Sequence, residues 1–470
     1  VVGRVLKAGQ PFAGAMVTTL GNYSATTGAD GTFNIAGVPT ISANLVANAT
    51  YTHPSGSVFA GTSNPAAPVR GGTTNAGDVL LSNTAKLIIS EFRWQGQGGT
   101  ADEFVEIYNS GDTPHVVETS DGSSGYALAA SDGAARFIIP AGTVIPPRAH
   151  FLGVNSVGYS LATHPAGDGT TANGDATYTT DIPDNAGLAL FNTSNPANFT
   201  LANRLDAVGP TSESDALYRE GAGVSWPAPH ALPYSCYRSL CSHVAGVGCT
   251  VPGTPKETND NATDFVCVCA SGPGGGPAAG LTLGAAGPEN LSSPLKGRVQ
   301  GAPTVTFGPV STMFAPSSAP NIVRETVSDP ANNATYGLIK FRVEVTNKTG
   351  QNITSIRFRV ADLTTYPAPA GTADLRPRTS GATGAQVKPG VMMTVQGTTL
   401  EQSFQQYGGG FNSTLSAVTV TPSQPLAPGA LLRVQFVFGV QQTGAYRLGL
   451  NIETLPRSNT EMIVFTGQTN

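Results

Sequence analysis

The chain has 470 residues, longer than one hydrophobic core usually grows, so it is expected to form roughly two to four domains. Charged residues make up 12% of it, against roughly 25% in typical soluble proteins, so long charged helices are expected to be scarce. Glycine (57) and proline (35) are abundant, which predicts frequent turns. A hydrophobic fraction of 40% excludes general disorder, and a net charge of −5 disfavours nucleic acid as a partner.

No stretch reaches the roughly 18 apolar residues that a membrane-spanning helix requires, so no membrane span is expected. The sequence opens with Val1-Val2-Gly3-Arg4, which lacks the charged segment and apolar run of a signal peptide. If the protein is exported, the sequence is expected to be the mature form.

Residues 1–82 form the first predicted unit, in which short apolar alternations are broken by glycine, proline and asparagine, a pattern typical of β-strands. Residues 27–35 contain an Asp-Gly turn signal and predict a hairpin with Phe33 and Ile35 on one face. Together with Gly3-Arg4-Val5 and Gly37-Val38-Pro39, this run resembles the carboxypeptidase-regulatory-like domain, a small transthyretin-type β-sandwich. The resemblance implies a spacer or adhesion module.

Some relatives of that domain carry a Lys–Asn cross-link assisted by a buried acid. The first unit contains no glutamate, and its only acids are Asp30, in the turn, and Asp78. Lys7 is therefore interpreted as a solvated strand residue rather than as a cross-linking one.

The second predicted unit, residues 86–270, opens with two strand-like runs, residues 87–92 and 102–109. These runs resemble the start of the lamin-tail domain, an immunoglobulin-like sandwich, and the resemblance continues through residues 137–146, 184–191, 204–209 and 257–265. Bacterial proteins with this domain are typically secreted or attached to the cell surface, so the resemblance implies an extracellular location. The acidic chain has no coiled-coil heptads, and a chromatin role is not supported.

Residues 271–280 are a Gly/Pro linker by composition, and residues 281–470 form a third predicted unit for which we name no family. Its strands alternate strictly, as in residues 338–346, where apolar residues interleave with charged ones. Arg357 and Arg359 occupy a similar charged face. The predicted fold is all-β, with three β-sandwich domains in series.

All five cysteines lie within a short stretch of the second unit. Their irregular spacing favours two local disulfides, with one cysteine left over, rather than a zinc site. Disulfides in turn indicate an oxidising compartment. Two of them lie two residues apart in an apparent strand, so that each could bond a different loop cysteine. The disulfide candidates are Cys236, Cys241, Cys249, Cys267 and Cys269.

No familiar catalytic motif is present, neither G-x-S-x-G, H-E-x-x-H nor a phosphate-binding loop. Two of the acids Glu91, Glu103 and Glu106 could form a carboxylate pair for glycoside chemistry. The preferred interpretation is that these acids lie at strand edges and are either solvated or paired with a nearby arginine such as Arg93. The histidines are dispersed along the chain and are interpreted as surface or capping residues: His53, His115, His150, His164, His230 and His243. We therefore expect neither catalysis nor a cofactor.

Two acidic loops could supply the oxygen ligands of calcium, although Asx turns explain both more simply. One is the turn at residues 260–264. The other contains the weak calcium candidates Asp168, Asp175, Asp181 and Asp184.

These observations together predict a secreted, non-enzymatic structural or adhesive protein of the cell surface. A surface rich in Ser, Thr, Asn and Gly, together with open sheet edges, suggests a subunit that assembles with copies of itself or with other surface components. The alternative hypothesis is a set of carbohydrate-binding or substrate-targeting modules of a secreted enzyme, with Trp94, Trp226 or Tyr237 as a platform for glycans.

Overall fold

The computed structural model describes residues 1–41, 43–162, 172–225, 234–241, 251–270, 281–298, 303–401 and 409–469. In these ranges the chain forms 35 strands, one four-residue α-helix and short 3-10 turns, which confirms the predicted all-β fold. None of the helices there is long and apolar enough to cross a bilayer.

The first unit forms one eight-stranded sheet in the order β2-β1-β8-β7-β6-β3-β4, with β5 added to β1. Phe33 and Ile35 lie in its core, as predicted. The predicted turn also forms, but β5 pairs with β1 rather than folding back as a hairpin on β4. The strands are β1 (Val2–Lys7), β2 (Gln10–Pro11), β3 (Met16–Thr19), β4 (Tyr23–Thr26), β5 (Thr32–Asn34), β6 (Asn48–Thr52), β7 (Val58–Thr62) and β8 (Asn75–Asn83).

The second unit packs a seven-stranded sheet, β16-β15-β10-β9-β19-β20-β21, against a four-stranded sheet, β13-β12-β17-β18. A further pair, β11 and β14, lies beside them, and one helical turn, α1 (Asn261–Asp264), precedes β20. The strands are β9 (Leu87–Arg93), β10 (Phe104–Asn109), β11 (His115–Val116), β12 (Gly125–Ala130), β13 (Ala135–Pro140), β14 (Val144–Ile145), β15 (His150–Asn155), β16 (Ala176–Tyr178), β17 (Leu188–Phe191), β18 (Arg204–Val208), β19 (Tyr234–Arg238), β20 (Phe265–Cys269) and β21 (Thr282–Leu283).

The third unit has two five-stranded sheets: β23 and β24 both pair with β25, followed by β32 and β27, and the other has the order β30-β31-β26-β33-β35. A hairpin, β28-β29, and the pair β22-β34 complete the unit. The strands are β22 (Lys296–Gly297), β23 (Val305–Pro309), β24 (Ile322–Glu325), β25 (Leu338–Asn347), β26 (Ser355–Leu363), β27 (Asp374–Arg378), β28 (Thr383–Lys388), β29 (Val391–Val395), β30 (Thr399–Leu400), β31 (Thr414–Ser416), β32 (Leu431–Gln442), β33 (Ala445–Leu455), β34 (Ser458–Asn459) and β35 (Ile463–Gln468).

Residues 281–297, here called the connecting segment, contact both the second and the third unit. At its start, β21 extends the sheet of the second unit by pairing with β20. Leu281, Leu291 and Leu295 pack on the core of that unit. At its end, β22 pairs with β34 of the third unit. A stretch that the sequence places in the third unit therefore belongs to both.

Candidate functional site

Two of the three glutamates singled out in the sequence lie side by side on the sheet of the second unit. Glu91 on β9 and Glu106 on β10 are directly paired in the antiparallel register. Residues opposite each other in such a pair project from the same face. Both side chains are 3% exposed, so the expectation that these acids are solvated is wrong.

The connecting segment covers these two carboxylates. The backbone N–H of Gly287 donates to Glu91 Oε1 at 2.9 Å, and that of Glu289 donates to Glu106 Oε2 at 2.7 Å. Asn412 of the third unit donates to Glu91 Oε2 at 3.0 Å. Burial, followed by the charge of Glu106, raises the pKa of Glu91 to about 7.

His150 on β15 lies between two of the acids. Its Nδ1 is 2.9 Å from Glu106 Oε1, and its Nε2 is 3.1 Å from Glu289 Oε2. The side chain is only 12% exposed, and the interpretation of His150 as a surface or capping residue is wrong.

The third unit contributes two arginines to the same cluster. Arg357 and Arg359 lie two residues apart on β26, and their Nε atoms lie 2.5 and 2.8 Å from the carboxylate of Glu453 on β33. Arg359 also contacts Glu289 Oε2 at 2.9 Å, and Arg357 contacts the other oxygen of Glu289. Both arginines are less than 5% exposed, so their strand has no solvated charged face. Burial raises the pKa of Glu453, but the two guanidinium groups outweigh it and lower that pKa overall.

These seven side chains constitute what we call the interface charge cluster: Glu91, Glu106, His150, Glu289, Arg357, Arg359 and Glu453. The cluster links three parts of the chain, namely the sheet of the second unit, the connecting segment and the sheet of the third unit. Glu91, Glu106 and Glu289 each have a charged or hydrogen-bonding partner from a different part, whereas Glu453 pairs with the two arginines of its own sheet. The cluster therefore connects the second unit to the third unit.

Three members of this cluster, Glu106, His150 and Glu289, bring one ligand atom each within 4.8 Å of one another, as a metal site requires. Glu289, however, is already bound by both arginines. A cation there would be repelled by two guanidinium groups at close range. The donor set therefore fits a metal poorly.

Glu103 and Arg93 lie apart from this cluster. Glu103 accepts hydrogen bonds from Asn155 Nδ2 at 2.9 Å and from the N–H of Ile182 at 2.6 Å. Burial is the main cause that raises the pKa of Glu103 to about 8. Arg93 pairs with Asp102 and also donates to the Asp102 carbonyl oxygen, so the expected pairing of Arg93 with the strand glutamates does not occur.

The calcium candidates do not come together. In the described ranges, two groups of three residues place possible metal-ligand atoms within 4.8 Å, and neither contains Asp175, Asp181 or Asp184. Asp175 instead accepts the N–H groups of Leu152 and of Leu291 in the connecting segment, at 2.9 and 3.0 Å. Asp168 lies outside the described residues.

The expected disulfide bonding is confirmed for Cys236 and Cys267, although the pairing differs from the one suggested. Cys236 and Cys267 occupy opposing positions on β19 and β20 and are joined by a disulfide, so Cys267 bonds a strand cysteine rather than a loop cysteine. Cys241 is also disulfide-bonded, and Cys269 is buried in the core of the second unit. Cys249 lies outside the described residues.

Two of the three aromatic residues suggested as a glycan platform are buried. Trp94 is 0% exposed and donates its Nε1–H to Ala186 O at 2.8 Å, and Tyr237 is 5% exposed. Neither can stack on a sugar in this fold. Trp226 lies outside the described residues, as do His164, His230 and His243.

Lys7 and His115 are found where the first and second units meet. The Lys7 ammonium lies 2.6 Å from Glu118 Oε2 and 3.9 Å from the centre of the Phe59 ring. Its side chain is 17% exposed, which corrects its interpretation as a solvated residue. His115 is buried and bonds to Ala85 O at 2.6 Å through Nδ1. Sequence patterns indicate which residues are charged, but they carry no signal for contacts between units.

No known protein family and no curated protein matches this sequence. Among solved structures, the chain is similar to the crystal structure of a DUF4876 family protein from Bacteroides thetaiotaomicron. The two share 13% sequence identity over 56% of this chain and 94% of that chain, with a TM-score of 0.27. At that TM-score the similarity supports no conclusion about fold or function.

Proposed function

We propose that this chain is an extracellular, non-enzymatic structural or adhesive protein that assembles with copies of itself. The observation that carries the proposal is the interface charge cluster. The acidic, basic and imidazole groups that could have performed chemistry are covered by the connecting segment and bound to one another. They hold the second unit in a fixed position relative to the third unit, as a structural or adhesive protein requires.

The energetics support this interpretation. Removing one partner from a buried ion pair typically costs about 3–5 kcal/mol, because the remaining charge stays buried without compensation. Pulling the second and third units apart would expose or unpair several such groups at once. The two sandwiches are therefore proposed to behave as one mechanical body.

The disulfide between Cys236 and Cys267 supports the extracellular part of the proposal, since such bonds persist in oxidising compartments. The open edges of the sheets support the assembly part. β35, for example, pairs with β33 on one side only within the described sheet and exposes 36% of Val464. Unpaired strand edges are sites at which another chain can add a strand.

Sedimentation velocity and electron microscopy of the purified protein test the assembly directly. Ordered polymers are expected. Arg359→Met removes one charged side chain of the interface charge cluster and is expected to make the polymers shorter or irregular. Arg447→Met is the matched control, because Arg447 is half-exposed and pairs with Asp362 on the same sheet. A wild-type chain that stays monomeric at high concentration contradicts the proposal.

The non-enzymatic part has its own test. A screen of polysaccharide and ester substrates is expected to show no turnover. Turnover that disappears in Glu106→Gln would place catalysis in the interface charge cluster and overturn this part of the proposal.

A further inference from the structure

Positively charged side chains gather around Asp112 of the second unit, beside the connecting segment. Arg148, which precedes β15, donates to Asp112 Oδ1 from Nε at 3.2 Å and from Nη2 at 2.9 Å. Arg298, which follows the connecting segment, donates to Asp112 Oδ2 from Nη1 at 3.0 Å. A single carboxylate therefore pairs with two guanidinium groups, one from the second unit and one from the third.

Arg457, in the turn between β33 and β34, adds a third guanidinium group. Because β22 and β34 pair in parallel, Arg298 just after β22 and Arg457 just before β34 lie next to the same pair of strands. Arg457 is exposed and makes no hydrogen bond or ion pair with any residue that the structure describes. Partial burial is the main cause that lowers the pKa of Arg457; the charge of Asp112 opposes this effect and that of Arg148 adds to it. Arg457 is therefore close to the ion pair of Asp112 without being bound to it.

Positive charges outnumber negative ones at this place. Lys296 on β22 is buried and donates to Thr460 O at 2.8 Å, and it has no carboxylate partner in the described ranges. Burial is the main cause that lowers the pKa of Lys296 to about 8, and the charge of Arg148 lowers it further. The nearby Glu453 is already paired with two arginines of the interface charge cluster. Two acids, Asp112 and Glu461, thus remain for four cations, which we call the basic group: Arg148, Lys296, Arg298 and Arg457.

Two arginines of the basic group have N–H donors that no described residue uses. A guanidinium carries five such donors in a rigid plane, an arrangement that suits carboxylates and other oxyanions. Arg298 makes one hydrogen bond within the described part of the chain, and its side chain is 43% exposed. Arg457 makes none there and is also exposed. The basic group therefore offers accessible donors together with an excess of positive charge, as the binding of an anion requires.

We propose that Arg298 and Arg457 bind the carboxylate or sulfate groups of an acidic polysaccharide. The buried Arg148 and Lys296 strengthen the site through their charge. The choice of a polysaccharide rests on the extracellular adhesive function proposed above, for which a polyanion of the cell exterior is the fitting partner. The net charge of −5 opposes attraction of polyanions by the chain as a whole, so binding depends on the local charge of the basic group.

Isothermal titration of the full chain with dextran sulfate, and with uncharged dextran as the matched polymer, tests the site. Saturable binding of dextran sulfate alone is expected, and it should weaken as NaCl is raised from about 50 to 200 mM. Arg457→Gln and Arg298→Gln are each expected to weaken it roughly fivefold or more, since each removes a charged donor. Arg70→Gln, which removes an exposed arginine of the first unit and changes the net charge equally, is expected to leave the affinity unchanged. Because Arg457 is exposed and unpaired among the described residues, Arg457→Gln is expected to keep the wild-type Tm.

No saturable binding of dextran sulfate by the wild-type chain overturns the proposal. Equal affinities of Arg457→Gln, Arg298→Gln and Arg70→Gln do so too, since the polymer would then bind elsewhere. Full displacement by Na₂SO₄ at the same concentration of sulfate groups would show a site for single anions, and tighter binding to phosphatidylglycerol vesicles would show a lipid site; either result overturns the polysaccharide assignment. Sedimentation of the same sample separates this proposal from the proposed assembly, because a monomer that binds dextran sulfate contradicts only the assembly, and a polymer that does not bind it contradicts only this site.

Discussion

Arg359 of the third unit and Glu289 of the connecting segment form a buried ion pair of 2.9 Å, in which neither side chain is more than 6% exposed. Arg359 also binds Glu453 and the side-chain oxygen of Asn412, so it neutralises acids from two parts of the chain at once. The relation between the second and third units therefore depends strongly on a single guanidinium group.

Replacement of Arg359 by Met is expected to lower the free energy of unfolding by roughly 3–5 kcal/mol, since Glu289 and Glu453 would each lose a buried partner. Arg447→Met is the control, because Arg447 is half-exposed and pairs with one carboxylate only, that of Asp362, so its loss is expected to be smaller. Urea denaturation followed by fluorescence measures both. Equal small losses of unfolding free energy in the two variants would show that the contact between the second and third units does not depend on Arg359.

His115 predicts a pH dependence of stability. Burial lowers its pKa to about 4 in the folded protein from an ordinary value of 6.5. Between these values the unfolded chain binds a proton that the folded chain excludes, so stability falls as the pH decreases from 6.5 to 4. The difference corresponds to roughly 3 kcal/mol, all of it available above pH 6.5.

The variant His115→Asn tests this assignment, because the Asn amide can still donate to Ala85 O but does not titrate. Loss of the packed imidazole ring is expected to lower the stability at pH 7. The loss of stability between pH 6.5 and 4 is expected to become smaller than in the wild type. Denaturation at several pH values would contradict the assignment if the two proteins lost stability in parallel.

The disulfide between Cys236 and Cys267 closes a loop with a sequence separation of 31 residues. The loop-entropy relation gives about 3–4 kcal/mol for a loop of that size. The double variant Cys236→Ala/Cys267→Ala is expected to lose about that much stability under oxidising conditions. Any further loss on adding reductant measures the contribution of the disulfide at Cys241, and a double variant as stable as the wild type would contradict the prediction.

The alternating pattern of the third unit was sufficient to predict its core. Ile339 and Phe341 are buried as the period of two requires, because that period follows from the geometry of a strand. The pattern fails for Arg359, whose strand is buried on both faces. Alternation separates the two faces of a strand, but it carries no information about what covers the second face.

The candidate site was only partly predictable for the same reason. Glu91 and Glu106 could be recognised as neighbours from their strands. Their partners could not, since Gly287 and Asn412 lie 196 and 321 residues from Glu91 in sequence. Contacts at such separations arise from the packing of whole units and leave no local signal in the residues themselves.

Gly31 and Gly9 offer a matched pair of substitutions in the first unit, because both adopt a positive φ, of 74° and 75°. A Cβ at Gly9 would meet no atom within 4 Å, whereas one at Gly31 would lie 2.7 Å from Val5 O and 2.8 Å from Phe12 N. Gly9→Ala is therefore expected to cost only the conformational penalty of about 1–2 kcal/mol.

Gly31→Ala carries the same conformational penalty and adds a clash with backbone atoms, which cannot move aside as a flexible side chain can. Overpacking of this kind costs roughly 1–3 kcal/mol more. Gly31 also accepts the N–H of Val5 at 2.8 Å through its carbonyl oxygen, so movement away from the clash would weaken the attachment of β1. In thermal denaturation, Gly31→Ala is expected to have a clearly lower Tm than Gly9→Ala. Equal Tm values would show that the turn can relax without disturbing β1.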